Sequence, residues 1–432
     1  DANELAGEGD YLRLGALEVS PDHRRLAFCA DLSGGESFEL CVKDLDSGEL
    51  LPDRFGGVSG PIAWADDGRT LLYTTLDAAK RPYKVHRRRL GEEGEDRVVY
   101  REDDEAFFVS VARTRSGGCL LITSASATTT EVRYLPVNDP SAEPRLIEPR
   151  RRGHEYYVDH HGDTFFLLSN EGAKNFRLLR RAVDRGGPGE PPAGDVEVVP
   201  HRADVKLEAV EVFADHLVVW QRRDGLLELV VHRLVDGAQR SVRFPEPVYT
   251  LRREPNLDFG ARRFRFAYTS MVTPPTVYAC DLETTELEVL KVREVRGGYD
   301  ASRYVTGRLA VRSGEVSVPV SYVHRADLAL DGGNPCLLTG YGAYGAVIDP
   351  VFSPSVVSLL DRGFVYAVAH VRGGGLMGKA WHEDGRLLAK KNSFRDLIAV
   401  AEHLIERGVS HPRRLALRGA SAGGLLVGAV LN

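Results

Sequence analysis

The chain has 432 residues, of which 43% are hydrophobic and 27% charged, and a formal net charge of −6 from 56 basic and 62 acidic residues. That length is enough for two hydrophobic cores, the composition is that of a soluble globular protein, and the slight acidity argues against a nucleic-acid binder. No apolar run approaches the ~18 residues of a membrane span. Five scattered cysteines (Cys29, Cys41, Cys119, Cys280 and Cys336) form no C-x-x-C pair, so zinc and thiol redox chemistry have no support; they read as small buried hydrophobes in a reducing compartment.

Asp1 is not an initiator methionine, and Asp1 to Asp10 carries no apolar signal-peptide core, so we expect the native start to lie upstream. From about Leu14 to Leu290 the chain repeats itself. Polar turns at Ser20-Pro21-Asp22, Asp66-Asp67-Gly68, Ser116-Gly117-Gly118, His161-Gly162-Asp163, Ala214-Asp215-His216 and Phe259-Gly260 each lead into a β-rich run. Counted between Gly68, Gly117, Gly162, Asp215 and Gly260, the steps are 49, 45, 53 and 45 residues. A second strand follows each first one, as in Phe38–Val42, Tyr83–His86, Glu131–Leu135 and Thr276–Leu282. Repeats of ~40–50 residues holding about four strands predict a β-propeller, and the lack of a 3.6-residue pattern excludes helical solenoids; a pair of β-sandwiches is the competing architecture. Six blades are visible, and we expect a seventh in sequence upstream. Arg87-Arg88-Arg89 and Arg150-Arg151-Arg152 read as solvated strand and loop edges. Gly186-Gly187-Pro188-Gly189-Glu190-Pro191-Pro192 reads as a mobile loop inside the fourth repeat.

Near Arg296-Gly297-Gly298 the pattern changes. A hairpin over Arg308–Val311 and Val316–Val320 precedes continuous apolar strands at Pro335–Thr339 and Phe364–His370, as parallel sheets require. Ser393 with Asp396 three residues on forms a capping-box pattern that opens a helix. Phe394, Leu397, Ile398, Ala401, Leu404 and Ile405 give that helix one apolar stripe, and Gly408 is placed to end it. This alternation predicts a doubly wound α/β domain.

Gly419-Ala420-Ser421-Ala422-Gly423 then spells G-x-S-x-G, a nucleophile elbow. A serine hydroxyl is a poor nucleophile until a base takes its proton, so it must stand exposed on a sharp turn between a strand and a helix. Leu415–Arg418 reads as the buried strand and Leu425–Leu431 as the buried helix; the competing reading is a glycine-rich loop between buried elements. Enzymes with this elbow order their triad Ser…Asp/Glu…His, yet no acid or histidine follows Ser421. We therefore expect a catalytic domain truncated after the elbow. Elbow geometry makes the Ala422 amide one oxyanion donor. The Gly340-Tyr341-Gly342-Ala343-Tyr344-Gly345 loop offers a second in the Tyr341 phenol, although an aromatic in such a loop also serves packing. Arg372-Gly373-Gly374-Gly375 lacks phosphate-loop spacing and reads as a structural turn. His370 and His382 precede the serine and read as structural.

Gly340–Gly345, Ser358–Ala367, His370–Gly375, Trp381–Gly385, Lys390–Phe394 and the Ser421 elbow together resemble the prolyl oligopeptidase family of serine peptidases, and within it the oligopeptidase B branch. In the repeat half, Ser20-Pro21-Asp22, Ala125–Thr129, Lys174-Asn175-Phe176 and Tyr268–Pro275 match as well, so the resemblance covers essentially the whole chain.

The resemblance implies a propeller (residues 1–298) capping an α/β-hydrolase domain, of which residues 299–432 are the N-terminal part. It implies a cytoplasmic serine endopeptidase that takes short peptides and cleaves after Lys or Arg, with no cofactor or metal and no nucleic-acid or membrane partner. Ser421 matches the nucleophile and Tyr341 the oxyanion tyrosine, beside the Ala422 amide; Tyr344 matches an aromatic at the substrate pocket. Three departures stand out. Leu376-Met377 replaces the glutamate usual after the triple glycine, Ala420 replaces a glycine, and the stretch that would carry the catalytic Asp, the His and the acidic residues selecting a basic side chain is absent, so we expect residues 1–432 alone to be inactive. An N-terminal segment that packs on the hydrolase domain in relatives is also expected upstream. Two rival functions remain: a catalytically inactive, propeller-based peptide-binding protein, and an aminopeptidase or esterase on the same scaffold.

Overall fold

The computed structural model describes residues 2–6, 11–183 and 194–432. The glycine- and proline-rich segment 186–192 lies outside the described residues. Two compact units emerge: residues 1–171 with 178–199, and residues 172–177 with 200–432.

Each of the six polar turns is followed by an antiparallel strand pair, as the repeats predict: Arg25–Asp31 with Phe38–Asp44, Thr70–Leu76 with Pro82–Arg89, Cys119–Ala125 with Thr130–Pro136, Thr164–Ser169 with Arg177–Ala182, His216–Arg223 with Leu226–Arg233, and Arg263–Thr269 with Thr276–Asp281. The pairs fall into five sheets, because the first two repeats share one seven-stranded ladder. Leu50–Trp64, 15 residues long, joins them: its first half pairs with Phe38–Asp44 and its second with Thr70–Leu76. Gly57 (φ +70°) and Gly60 (φ +128°) interrupt its register and let one strand bend from repeat to repeat, which a side chain at those angles would resist.

Burial falls from the central strands to the last strand in the last two of these sheets. His216–Leu217–Val218–Val219–Trp220–Gln221 is almost wholly buried, whereas the last strands Gln239–Ser241 and Leu287–Val292 are almost wholly exposed. Central strands covered on both faces read as continuous apolar runs, and outer ones keep charged side chains in water. All five cysteines are buried and unpaired, and burial pushes the Cys29, Cys280 and Cys336 thiols up to about 12.

The second unit ends in a five-stranded sheet of β1 (Tyr304–Ser313), β2 (Val316–Arg325), β3 (Cys336–Gly340), β4 (Val365–Ala369) and β5 (Leu415–Arg418), ordered β1-β2-β4-β3-β5. β1 and β2 form the expected hairpin; β4, β3 and β5 run parallel. Four helices accompany it: α1 (Pro354–Leu360), α2 (Lys379–Glu383), α3 (Lys391–Glu406) and α4 (Ala422–Leu431). Val318, Val320, Leu338, Val365, Ala367 and Ala369 pack with Leu397, Val400 and Leu404 of α3 and Leu426 of α4. Tyr304, Val323 and Val368, on the opposite face, pack with Val356 and Leu360 of α1.

Two expectations need correction. The capping box does not form: α3 begins at Lys391, two residues before Ser393, and both box residues turn inward to tertiary partners. The strand and helix around the elbow are not buried either. β5 pairs only with β3 among the described residues and alternates half-buried with exposed positions; in α4 only Gly423 and Leu426 are buried, with Leu425 61% and Leu431 73% exposed.

Candidate active site

β5 delivers the chain to Ser421 at the end of the sheet where β3 and β4 also finish. Ser421 stands at φ 53° and ψ −122°, and α4 starts one residue later. Non-glycine residues avoid such angles at a cost on the order of 1–3 kcal/mol, and they persist where the surroundings over-determine them. The surroundings here are glycine contacts. A Cβ on Gly419 would lie 2.0 Å from the Gly423 carbonyl oxygen, and one on Gly423 would lie 2.8 Å from the Gly340 oxygen and 3.5 Å from Tyr341 Cδ2. The same close approach that demands glycine seats the elbow against the start of the Tyr341 loop. The Gly423 and Gly424 amides bond back to the carbonyls of Ala420 and Ser421, both at 2.8 Å, closing the turn. Ser421 is exposed and makes no side-chain cap bond. Ala420, in the usual glycine position, is exposed and outside the left-handed region, so its methyl is accommodated.

Tyr341 follows β3 directly and is half-buried. Tyr344, three residues on, is 82% exposed and held at φ 57°. The loop between them is braced by the segment after β4. A Cβ on Gly373 would come within 2.1 Å of the Gly342 oxygen, one on Gly375 within 2.2 Å of the Gly345 oxygen, and the Gly345 amide donates to the Gly373 carbonyl at 3.0 Å. Arg372-Gly373-Gly374-Gly375 is thus a structural turn, as expected, whose work is backbone-on-backbone packing under the Tyr341 loop. Arg372 anchors it by a paired hydrogen bond to the fully buried Asp396 of α3, whose carboxylate also accepts from Ser313 Oγ at 2.7 Å. Ser393 Oγ donates to the Arg372 carbonyl at 2.6 Å, and Lys390 Nζ donates to the Gly342 carbonyl.

His370 is buried and shares a hydrogen bond with Ser321 Oγ at 2.8 Å; burial, helped by the charges of Arg308 and Arg222, pushes its pKa down to about 3. It is a neutral structural imidazole, as the sequence order implies. The ring of His382 packs near Gly345, where an added Cβ would lie 3.4 Å from His382 Cγ. Leu376, standing where the glutamate is usual, is buried against Gly225, whose added Cβ would lie 2.7 Å from Leu376 Cδ2. The Lys174-Asn175-Phe176 motif serves the same region: Lys174 pairs with Glu383 at 2.6 Å, and Asn175 Oδ1 accepts from the Lys379 amide at 3.2 Å.

Sequence reasoning missed Lys390, Arg372, Asp396 and Ser313 as supports of the site. The Ser393–Asp396 spacing is the local signal of this support, and it is equally the spacing of a helix cap.

Residues 1–293 match the family described as "Prolyl oligopeptidase, N-terminal beta-propeller domain", and residues 350–432 match "Prolyl oligopeptidase family". The chain belongs to the prolyl oligopeptidase family. Its five antiparallel sheets are therefore the family's propeller domain, and the mixed sheet with the elbow is part of the family's catalytic domain. The chain is 40% identical to dipeptidyl aminopeptidase BI of Pseudoxanthomonas mexicana, an alignment over 100% of this chain and 60% of that protein. It is 37% identical to protease 2 of Moraxella lacunata, over 100% of this chain and 62% of that protein. The structure of oligopeptidase B from Leishmania major superposes with a TM-score of 0.90 at 33% identity, covering 100% of this chain and 62% of that one. The chain thus spans about three fifths of the length of these relatives.

Proposed function

We propose that the protein acts as a serine endopeptidase on short peptides, cleaving after Lys or Arg, with Ser421 as nucleophile. The observation that carries this is the strained, exposed Ser421 at φ 53°, wedged by Gly419 and Gly423 against the Tyr341 loop. Strain of this kind belongs to sites where a hydroxyl must be presented rather than packed. In the reaction, Ser421 Oγ attacks the scissile carbonyl while a histidine takes its proton. The Ala422 amide and the Tyr341 phenol donate to the oxyanion as charge moves onto it. The tetrahedral species collapses to an acyl-enzyme, and the leaving amine departs with the histidine's proton; water then reverses these roles. Tyr344, exposed three residues beyond Tyr341, would offer its ring to the substrate side chain. His370 is not the base, since it is buried on Ser321 and its pKa lies far below neutrality. The proposal requires an Asp and a His that follow Ser421 in the usual order, so residues 1–432 by themselves would turn over substrate poorly.

The wider architecture is part of the same reading: a seven-bladed propeller with one blade upstream, a boundary near residue 298, and an α/β-hydrolase domain from 299 onward. The strand order and parallel register of β4, β3 and β5 support the last. Five buried, unpaired cysteines support a cytoplasmic location. Among the described residues no helix is long and apolar enough to cross a membrane.

A second reading, an aminopeptidase, is favoured by the relative at 40% identity, whose name is dipeptidyl aminopeptidase BI. Purified full-length protein assayed on N-terminally blocked and free peptides, with Arg, Lys, Ala or Pro before the scissile bond, separates them. Cleavage of blocked Arg or Lys peptides, lost in Ser421→Ala, supports the endopeptidase. Cleavage of free N-terminal substrates alone establishes the aminopeptidase. No hydrolysis of either class would sink both.

A further inference from the structure

We propose that Lys390 is a positioning residue for the oxyanion loop, locking the backbone that aims the Tyr341 phenol; this deepens the peptidase reading above and rests on it. Gly342, immediately after Tyr341, sits at φ +67°, where an added Cβ would lie 2.7 Å from Val371 Cγ2 and 3.1 Å from the Arg372 oxygen. The position therefore has to be glycine, and glycine is the residue whose backbone is least restrained by its own side chain. Something else must hold the peptide that follows Tyr341. The Lys390 ammonium reaches into that loop, donating to Gly342 O.

Lys390 is built for that contact rather than for solvent. It precedes α3, half-buried, at the αR angles of φ −55° and ψ −32°. Its remaining described partners are Ser393 Oγ at 3.4 Å and the Phe394 ring, whose centroid is 6.0 Å away. No carboxylate pairs with it among the described residues, whereas Arg372 has Asp396, Lys174 has Glu383 and Arg222 has Glu208. A partly desolvated ammonium without a counter-ion is costly, and a charge-assisted bond to a carbonyl is the compensation it finds here. Burial also lowers its pKa. The Arg372–Asp396 pair steadies the glycine segment beneath the loop but bonds to no loop carbonyl. The loop is thus held from beneath by Gly373 and Gly375 and from within by Lys390.

The test compares full-length wild type with Lys390→Met, which removes the donor and charge at similar length, and Lys390→Gln, which restores a neutral donor. Hydrogen–deuterium exchange should speed up at amides 341–346 in Lys390→Met while the middle of α3, 396–404, exchanges as in wild type. On the cleaved peptide, kcat should fall about ten- to a hundredfold with KM little changed, because a misaimed oxyanion donor is felt in the transition state. Lys390→Gln should recover most of both. Wild-type exchange at 341–346 in Lys390→Met overturns the proposal, as does unchanged kcat in an active enzyme. Loosening of α3 together with the loop, or an equal loss in Gln and Met, also overturns it by showing a general structural role. A wild type with no peptidase activity would count against the proposed function instead, and the exchange comparison then decides the role of Lys390 by itself.

Discussion

Arg372 closes on Asp396 with two parallel charge-assisted hydrogen bonds, Nε to Oδ2 at 2.9 Å and Nη2 to Oδ1 at 2.6 Å. The Arg372 amide at 2.9 Å and Ser313 Oγ at 2.7 Å complete the carboxylate's shell. One fully buried side chain on α3 therefore ties β1 to the segment that follows β4 and lies beneath the Tyr341 loop.

Removing one partner of such a pair leaves the other buried and uncompensated. Asp396→Ala should destabilise the protein by about 3–5 kcal/mol, and Asp396→Asn by less, since the amide oxygen still accepts. Urea denaturation followed by fluorescence measures both. A midpoint for Asp396→Ala close to that of wild type would show that the pair contributes no net stability.

Ser421 is the place where stability and function oppose each other. Glycine tolerates φ 53° and ψ −122° without the steric cost a serine bears, so Ser421→Gly should gain about 1 kcal/mol of stability after the entropic penalty of glycine is subtracted. The same variant should lose all reaction with a fluorophosphonate probe. A Ser421→Gly protein melting below wild type would remove the argument from strain.

Tyr341→Phe deletes the phenolic donor and keeps the ring. If the hydroxyl binds the oxyanion, kcat should drop by about 10²–10³ with KM nearly constant. Tyr344→Ala should do the reverse, raising KM more than it lowers kcat. Steady-state kinetics on one cleavable peptide decides between these patterns, and a Tyr341→Phe enzyme with wild-type kcat would return Tyr341 to packing.

In the first unit, burial acts to raise the Glu102 carboxyl, but hydrogen bonds from Arg150, Ser124 at 2.5 Å, the Asp104 amide at 3.0 Å and Tyr100 at 2.9 Å outweigh it and hold the pKa at about 2. A carboxylate whose folded pKa is depressed contributes stability above its unfolded value, here near 4.5, and loses it as pH falls toward 2. Glu102→Gln should destabilise the protein at neutral pH and flatten the acid limb of the stability curve between those values. Urea midpoints at several pH values from 7 to 3 test it; parallel curves for variant and wild type would exclude the linkage.

The repeats were legible because each polar turn and the two strands after it are contiguous, and strand propensity with period-two burial is a local property. The merging of the first two repeats was not, since it depends on how Gly57 and Gly60 bend one strand between two partners. At the elbow, Gly419, Ser421 and Gly423 could be read together because one tight turn needs all three within five positions. Arg372 and Asp396 stand 24 positions apart and Lys390 reaches back 48 to Gly342, so neither relation leaves a spacing signature. Ser393 and Asp396 are ambiguous for a related reason: the i, i+3 pattern of a cap is also the pattern of two neighbours on one inward helix face.

By itself, then, the sequence determined the strand repeats, the change to alternating strands and helices, and the serine on its turn, all written in residues adjacent in the chain. The tertiary structure alone decided what braces the Tyr341 loop and which histidine is buried. Those outcomes depend on burial and on hydrogen bonds between distant segments, and a buried charge chooses its partner by proximity in space.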